Sequence, residues 1–336
     1  MEPEGENFLE VTKVSELRNK IEQIDDACRN ESGEKVVNLR TRQYAFANIL
    51  VKVYHKEIYY LVHALTELGI AYLNMNYIPQ AEEHLTEAFK LNEKESEGSD
   101  MKTKEYHIKI CVKLAEVFLM KGEAEKALKI SEKNLEENQK IYGKDHLSNV
   151  DIYYNIANAN SRLENYQIAI DNFRIINTIY EKHFGADSDK SAKICLEMAQ
   201  VYEAWKSYND AIEYYINSYK IFEKIIKDNN YEIMYVISLK ISSLYGSLGR
   251  HEDAFKILDN TNKEFDNKTL RTLKQIYSYQ KNKIKYCMHM NDLQLLLTER
   301  LKLEKILRES GENQKALARE CISIAYTYLE MKNKPK

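Results

Sequence analysis

The stretch NIANANSRLENYQIAIDNF, residues 155–173, decides how this chain folds. It places two small residues, Ala157 and Ala169, twelve positions apart within segments of helical period. Antiparallel helices approach closely where small side chains meet, and large side chains fill the remaining grooves. The stretch therefore predicts two packed helices, which we call helix A and helix B of one repeat.

The same spacing recurs along the chain. The small residue of helix B returns at intervals of 46, 42, 42 and 43 residues, at Ala81, Ala127, Ala169, Ala211 and Ala254. About twelve residues earlier, helix A carries its own small residue, at Gly69, Ala115, Ala157, Ala199 and Ser242. Three residues further on stands a larger side chain, at Tyr72, Phe118, Asn160, Tyr202 and Tyr245. A fixed long period is typical of stacked helical repeats, in which each unit buries its apolar face against its neighbours.

Composition supports this interpretation. The 336 residues include only 10 Gly and 3 Pro, which favours long helices joined by short loops. Hydrophobic residues make up 44% of the chain, enough for a folded core. The pattern predicts an acidic tail over 1–12, capping helices over 13–56, and five helix pairs over 57–265. A degenerate sixth pair over 266–309, with Lys281 and Leu293 near its small positions, precedes a capping helix and basic tail over 310–336.

The repeat motif reads Leu68-Gly69, Tyr72, Ala81, Leu85 and Ala88 in the first pair. It resembles the tetratricopeptide repeat, and the resemblance implies an all-α, right-handed α-solenoid of antiparallel helix pairs. The 42-residue step is longer than the usual step of about 34. With its linkers over 142–146 and 184–188, it is similar to repeats of the kinesin-light-chain type. The resemblance implies a non-catalytic scaffold or adaptor for protein–protein interaction, in a cytoskeletal or ciliary assembly. The alternative is a regulatory switch that binds a short extended peptide.

In the family that the chain resembles, helix A lines an inner groove. The resemblance therefore implies a partner-binding set at Lys109, Glu116, Tyr154, Asn155, Asn158, Arg162, Lys193, Gln200 and Glu203. An asparagine amide both donates and accepts hydrogen bonds, so Asn155 and Asn158, with Arg162, are the strongest candidates for binding a peptide backbone. The alternative is that these side chains are merely solvated polar residues of the inner face.

The sequence carries no motif for catalysis, cofactor or metal binding. HExxH, GxGxxG, GxxxxGK[ST] and GxSxG are all missing, and the five cysteines form no CxxC pair. We therefore expect no enzyme activity and no cofactor. A net charge of −3, with few arginines, argues against nucleic acid as a partner. No apolar run reaches membrane-spanning length, and no secretory signal is evident. We expect a cytoplasmic protein whose partners are other proteins or peptides; the oligomeric state stays open.

Overall fold

The computed structural model describes residues 4–54, 58–95, 101–225, 232–265, 273–310 and 314–333. Those residues form fifteen α-helices and a single 3₁₀ turn, Leu147–Asn149, with no strand among them. The chain divides into two compact units, residues 1–179 and 180–336. The predicted all-α fold of antiparallel helix pairs is confirmed.

The first unit starts with two helices that precede the repeats. Helix α1 begins at Glu4, inside the segment 1–12 that was expected to be a tail. Acidic residues near a helix N-terminus favour the helix, because they oppose its dipole. The helices are α1 (Glu4–Cys28), α2 (Glu34–Tyr54), α3 (Ile58–Asn74), α4 (Ile78–Glu95), α5 (Met101–Met120), α6 (Ala124–Tyr142), α7 (Val150–Arg162) and α8 (Tyr166–Phe184), the last of which crosses the unit boundary.

The second unit continues the alternation of helix A and helix B. Its helices are α9 (Asp189–Ala204), α10 (Tyr208–Ile225), α11 (Glu232–Ser247), α12 (His251–Phe265), α13 (Leu273–Met290), α14 (Leu293–Ser310) and α15 (Gln314–Asn333). From α1 to α7, and again from α9 to α15, each helix packs against the next one along the chain. In the first unit the A helices also contact one another, α3 with α5 and α5 with α7.

One backbone feature ends helix A in every repeat. The residue between the two helices has a positive φ of 58° to 80°, at Asn76, Gly122, Glu164, Lys206, Gly249 and Asn291. In the first pair, Asn76 N–H donates to the Leu73 carbonyl and Tyr77 N–H to the Tyr72 carbonyl, both at 2.9 Å. These are the two bonds of a Schellman motif, which satisfies carbonyls at the end of a helix.

This turn fixes the register of the sixth pair. The small residue of helix B lies five positions after the positive-φ residue, as Ala81 does after Asn76. In the sixth pair that position is Leu296, whose N–H donates to the Asp292 carbonyl at 2.9 Å. The helix A position, twelve residues earlier, is Ile284. These positions lie three residues after Lys281 and Leu293, near which the sequence pattern placed them, and helix B itself begins at residue 293.

The small residues do allow close packing. Ala81 is fully buried, and a Cβ added to Gly69 would lie 2.6 Å from Cγ of Leu85. Such a contact is too close unless the Leu85 side chain shifts, so glycine fits this position without rearrangement of its neighbour. Where the third repeat departs from the pattern, the polar side chain is satisfied: Asn160 is buried, donates to the Ile156 carbonyl at 3.0 Å, and accepts from Asn165 Nδ2 at 3.2 Å.

Candidate functional site

The exposed face of the A helices in the first unit begins with a chain of charges. Arg40 of α2 pairs with Asp25 of α1, and its Nη2 lies 3.2 Å from Oε2 of Glu67 in α3. Lys109 of α5 pairs with the other oxygen of the Glu67 carboxylate. Lys109, a predicted groove residue, is therefore already neutralised by a neighbouring repeat.

His63 connects this series of paired charges to an aromatic residue. Its Nε2 lies 2.9 Å from Oδ2 of Asp25, and its Nδ1 lies 2.7 Å from the hydroxyl of Tyr106. Both contacts are satisfied when Nε2–H donates to Asp25 and the Tyr106 O–H donates to Nδ1. Burial alone would raise the pKa of Asp25, but hydrogen bonds from His63 and Arg40 hold that pKa well below its usual range. The network is therefore a fixed ionic support at the start of the face.

Two residues of the strongest predicted cluster bind the neighbouring helix, Asn155 with a buried side chain and Arg162 with one that is also exposed to solvent. Asn155 is 2% exposed, and its Nδ2 donates to the Val112 carbonyl of α5 at 3.0 Å. Arg162 donates from Nη1 to the Leu119 carbonyl, near the end of the same helix. Both side chains thus fasten α7 to α5.

The remaining candidates of the first unit differ in availability. Asn158 is half-buried and makes no hydrogen bond to another described residue. Glu116 accepts from Lys113 of the same helix at 2.7 Å. Tyr154 packs edge-on against the Phe173 ring, with centroids 5.7 Å apart. The amide that a partner can reach on this face is therefore that of Asn158.

The second unit holds three further candidates. Lys193 pairs with Asp189, one turn earlier in α9, at 3.2 Å. Glu203 accepts from the Tyr215 hydroxyl at 2.9 Å and from Lys240 of α11 at 3.2 Å. Gln200 is exposed and makes no hydrogen bond to another described residue. It occupies the same repeat position as Asn158, 42 residues later.

A cleft on this face lies between α5 and the start of α7, with residues of α6 and of the 3₁₀ turn in its lining. Its volume is about 330 Å³, and its lining residues are Glu105, Ile108, Lys109, Val112, Lys113, Asn138, Tyr142, Ser148 and Asp151. Both lysines are engaged elsewhere, Lys109 with Glu67 and Lys113 with Glu116. Asp151 is exposed and forms no ion pair with another described residue. Because both lysines pair with acids outside the lining, Glu105 and Asp151 are the acids of the cleft without an ion pair among the described residues, and they lie next to the aliphatic side chains of Ile108 and Val112.

A rigid linker borders the cleft. Asn138 Nδ2 donates to Asn149 Oδ1 at 2.9 Å and to Ser148 Oγ at 2.8 Å. Asn149 Nδ2 in turn donates to the Gly143 carbonyl at 2.8 Å. Sequence reasoning missed Asp151, although it stands one 42-residue step after Lys109. Lys109 and Asp151 therefore occupy equivalent positions of adjacent repeats, one basic and the other acidic.

A cysteine–histidine pair lies nearby but is not arranged for nucleophilic chemistry. The Sγ of Cys111 is 3.6 Å from Nε2 of His107. Burial, with a smaller effect of Glu137, raises the pKa of Cys111 to about 12, and burial lowers the pKa of His107. The thiol therefore stays protonated at neutral pH. Across the described ranges, no three potential ligand side chains are grouped to bind a metal ion.

A comparison with protein families identifies the repeats. The tetratricopeptide repeat model matches residues 109–175, the region from α5 into α8. Residues 109–175 thus carry tetratricopeptide repeats. No curated protein matches the chain in sequence. Among the helices that the structure describes, none is both long and apolar enough to cross a membrane.

Solved structures share the fold of these tetratricopeptide repeats. BtubC (BKLC) from P. vanneervenii is 16% identical, with a TM-score of 0.57 over 71% of this chain and 94% of that protein. A tetratricopeptide repeat protein from Parabacteroides merdae is 15% identical, with a TM-score of 0.51 over 94% of this chain and 99% of that protein. At such identities, the likeness is one of fold alone.

Proposed function

We propose that this chain is a non-catalytic interaction scaffold that holds an extended segment of a partner protein on the A-helix face of its first unit. The observation that carries the proposal is the negative cleft between α5 and α7. A basic side chain of the partner would place its charge beside Asp151 and its aliphatic stem against Ile108 and Val112. The amide of Asn158, on the same helix as Asp151, is available for the backbone of such a segment.

The proposal predicts a preference for a basic anchor residue. Extended peptides that differ only in a central Lys, Arg, Glu or Leu would be titrated against the 336-residue chain. We expect the basic peptides to bind at least about tenfold more tightly than the Glu peptide, because like charges in a binding site are repulsive. Asp151→Lys should abolish this preference.

A matched control separates the cleft from general electrostatics. Glu132 is an exposed acid of α6, outside the cleft, and Glu132→Lys makes the same change in net charge. That variant should keep the preference for basic peptides. Equal loss of binding in both variants, or no preference in the parent chain, would refute the assignment of the cleft.

A peptide-responsive switch is the second candidate function. It is favoured by the bonds from Asn155 and Arg162 to carbonyls of α5, since a bound segment that competes for them would change how α7 stacks on α5. Hydrogen exchange of α5 and α7 with and without the basic peptide tests this. Faster exchange near Val112 and Leu119 supports a switch, and uniform slowing contradicts it.

The assembly served by the scaffold is proposed to be cytoskeletal or ciliary, and the scaffold itself cytoplasmic. Support for this comes from the 42-residue step, which resembles that of kinesin-light-chain repeats. Crosslinking mass spectrometry on the native source should recover cytoskeletal partners, with crosslinks at Lys109 or Lys113. Recovery of the chain without such partners would count against this part of the proposal.

A further inference from the structure

Helix α15 carries an apolar stripe that no other described residue covers. Ile322, Tyr326 and Leu329 are 57%, 66% and 55% exposed. Their spacing of four and three residues places them on one side of the helix. The opposite side is fixed in place, because Thr327 is buried and Arg300 of α14 pairs with Glu320 at 3.1 Å. The stripe therefore lies on the side of α15 that faces away from α14.

The stripe occupies positions that earlier repeats bury. One 42-residue step back, in α13, the equivalent residues are Gln280, Ile284 and Cys287, which are 4%, 6% and 0% exposed. In α7, four steps back in total, the equivalents are Tyr153, Ala157 and Asn160, which are also buried. Large apolar side chains at positions that the architecture normally covers indicate a contact surface.

The central residue of the stripe tells which kind of helix can cover it. In the five regular repeats this position is glycine, alanine or serine, which lets helix B approach closely. Here it is Tyr326, whose ring would prevent that approach. A covering helix must therefore lie further away and present large side chains of its own. A second stripe of the same composition meets this requirement.

We propose that α15 pairs antiparallel with α15 of a second copy of this chain. Charge complementarity supports this partner. Arg319 and Glu330 are exposed, neither is paired with another described residue, and they lie eleven residues apart on the same flank of the stripe. In an antiparallel pair, residues on matching flanks face each other across the stripe. Arg319 of each copy then faces Glu330 of the other, and the two-fold axis makes this pair twice.

The size of the surface sets the expected strength. A three-turn helix pair buries less than the roughly 1,600 Å² of a standard interface. We therefore expect a reversible dimer with a dissociation constant in the range of about 1 to 100 µM. Such a dimer is visible by sedimentation velocity over a concentration series.

The test uses the full 336-residue chain and four variants. Tyr326→Glu should weaken dimerisation at least about tenfold, since it buries an unpaired charge at the centre of the interface. Arg319→Glu should weaken it through two like-charge contacts. Combining Arg319→Glu with Glu330→Arg restores opposite charges and should bring dimerisation back. Tyr328→Glu removes a tyrosine that is 52% exposed on the same helix but off the stripe, and should change nothing.

Each result of these measurements either supports or overturns the proposed pairing of α15. Reversible dimers with loss in Tyr326→Glu and rescue by the double charge swap support the pairing. A monomer at all concentrations, equal weakening by Tyr328→Glu, or failure of the charge swap to rescue would each overturn it. Circular dichroism of every variant shows that the helices are retained.

Discussion

The α3–α4 pair of the first unit and the α13–α14 pair of the second differ in the side chains that fill the contact between helix A and helix B. In α3–α4, Gly69 and Ala81 stand at the contact, and Gly69 leaves no room for a Cβ. In α13–α14 the same positions carry Ile284 and Leu296, both 6% exposed. The two pairs share a positive-φ residue between their helices, Asn76 and Asn291, and the five-residue spacing from it to the helix B position. The backbone plan therefore tolerates a small-residue contact or a contact filled by branched side chains.

The sixth pair also encloses a charged side chain, whereas no lysine or arginine among the described residues of the regular pairs is buried in this way. Lys283 is fully buried, with its Nζ 2.7 Å from Oδ1 of Asp259 and 3.1 Å from Oε2 of Glu299. Gln280 donates to the same Glu299 oxygen at 2.7 Å. Buried ion pairs are costly to desolvate and very costly to break. The sixth pair thus depends on one polar network where the regular pairs depend on close backbone approach.

The largest effect is expected at that network. Lys283→Ala leaves Asp259 and Glu299 without their shared cation and should lower the free energy of unfolding by about 3–5 kcal/mol. Urea denaturation followed by fluorescence of Trp205, the single tryptophan and a residue of the second unit, measures this. Lys302→Ala, which removes a half-exposed partner of the same Glu299, should cost under about 1 kcal/mol. Similar costs in the two variants would mean that burial of Lys283 contributes little.

The second prediction tests whether the sixth pair can adopt the regular contact. Leu296→Ala restores the alanine of the other repeats, yet it should cost about 2–4 kcal/mol, because the branched neighbours leave a cavity. Trp205 fluorescence in urea again reports the change. An unchanged or higher stability would show that the pair closes up as a regular repeat does.

The reverse substitution should cost somewhat less. Ala169 is fully buried in the third pair, and Ala169→Leu forces a larger side chain into a filled contact, at about 1–3 kcal/mol. Circular dichroism in urea provides the measurement. Ala159→Ser, a small change at another buried alanine of the same pair, serves as the control. Tolerance of leucine would contradict the close approach at Ala169.

The ionic network of the first unit is more exposed and should depend on pH. The lowered pKa of Asp25 means that its contribution is present above its unfolded-state pKa of about 3.9 and is lost as the pH falls below it. Asp25→Asn should therefore lower stability by about 1–2 kcal/mol at pH 7. Its deficit against the parent chain should shrink as the pH is lowered below about 4. A deficit that is constant with pH would place the effect in packing.

The smallest effect concerns the turn shared by all pairs. Glu164 has a φ of 62°, which glycine adopts without the Cβ penalty. Glu164→Gly should raise stability by about 0.5–1 kcal/mol. Gly122→Ala, at the equivalent turn with a φ of 80° and open space around it, should do the opposite. If both substitutions changed the stability in the same direction, the backbone conformation of this turn could not be the cause.

The regularly spaced small residues of helices A and B were predictable, because helix contacts impose one spacing on every repeat. Leu296 and Ile284 were not predictable, because these positions are recognised in the sequence by small residues and both of these side chains are large. Their places follow from Asn291, whose positive φ is a property of the folded backbone. The predicted site residues lie in the expected helices, but their roles could not be assigned. Whether Asn155 donates to solvent or to the Val112 carbonyl depends on where α5 lies beside it.

The sequence by itself determined the helices, their pairing and the 42-residue step, since these depend on side-chain size at fixed intervals along one chain. The tertiary structure alone decided which polar groups remain for a partner. Lys109 is paired with Glu67 and Lys113 with Glu116, whereas Asp151 has no ion pair among the described residues. The tertiary structure also left Ile322, Tyr326 and Leu329 uncovered at positions that earlier repeats bury. Hydrogen bonding and electrostatic balance act between residues that are far apart in sequence, so only the packed helices reveal them.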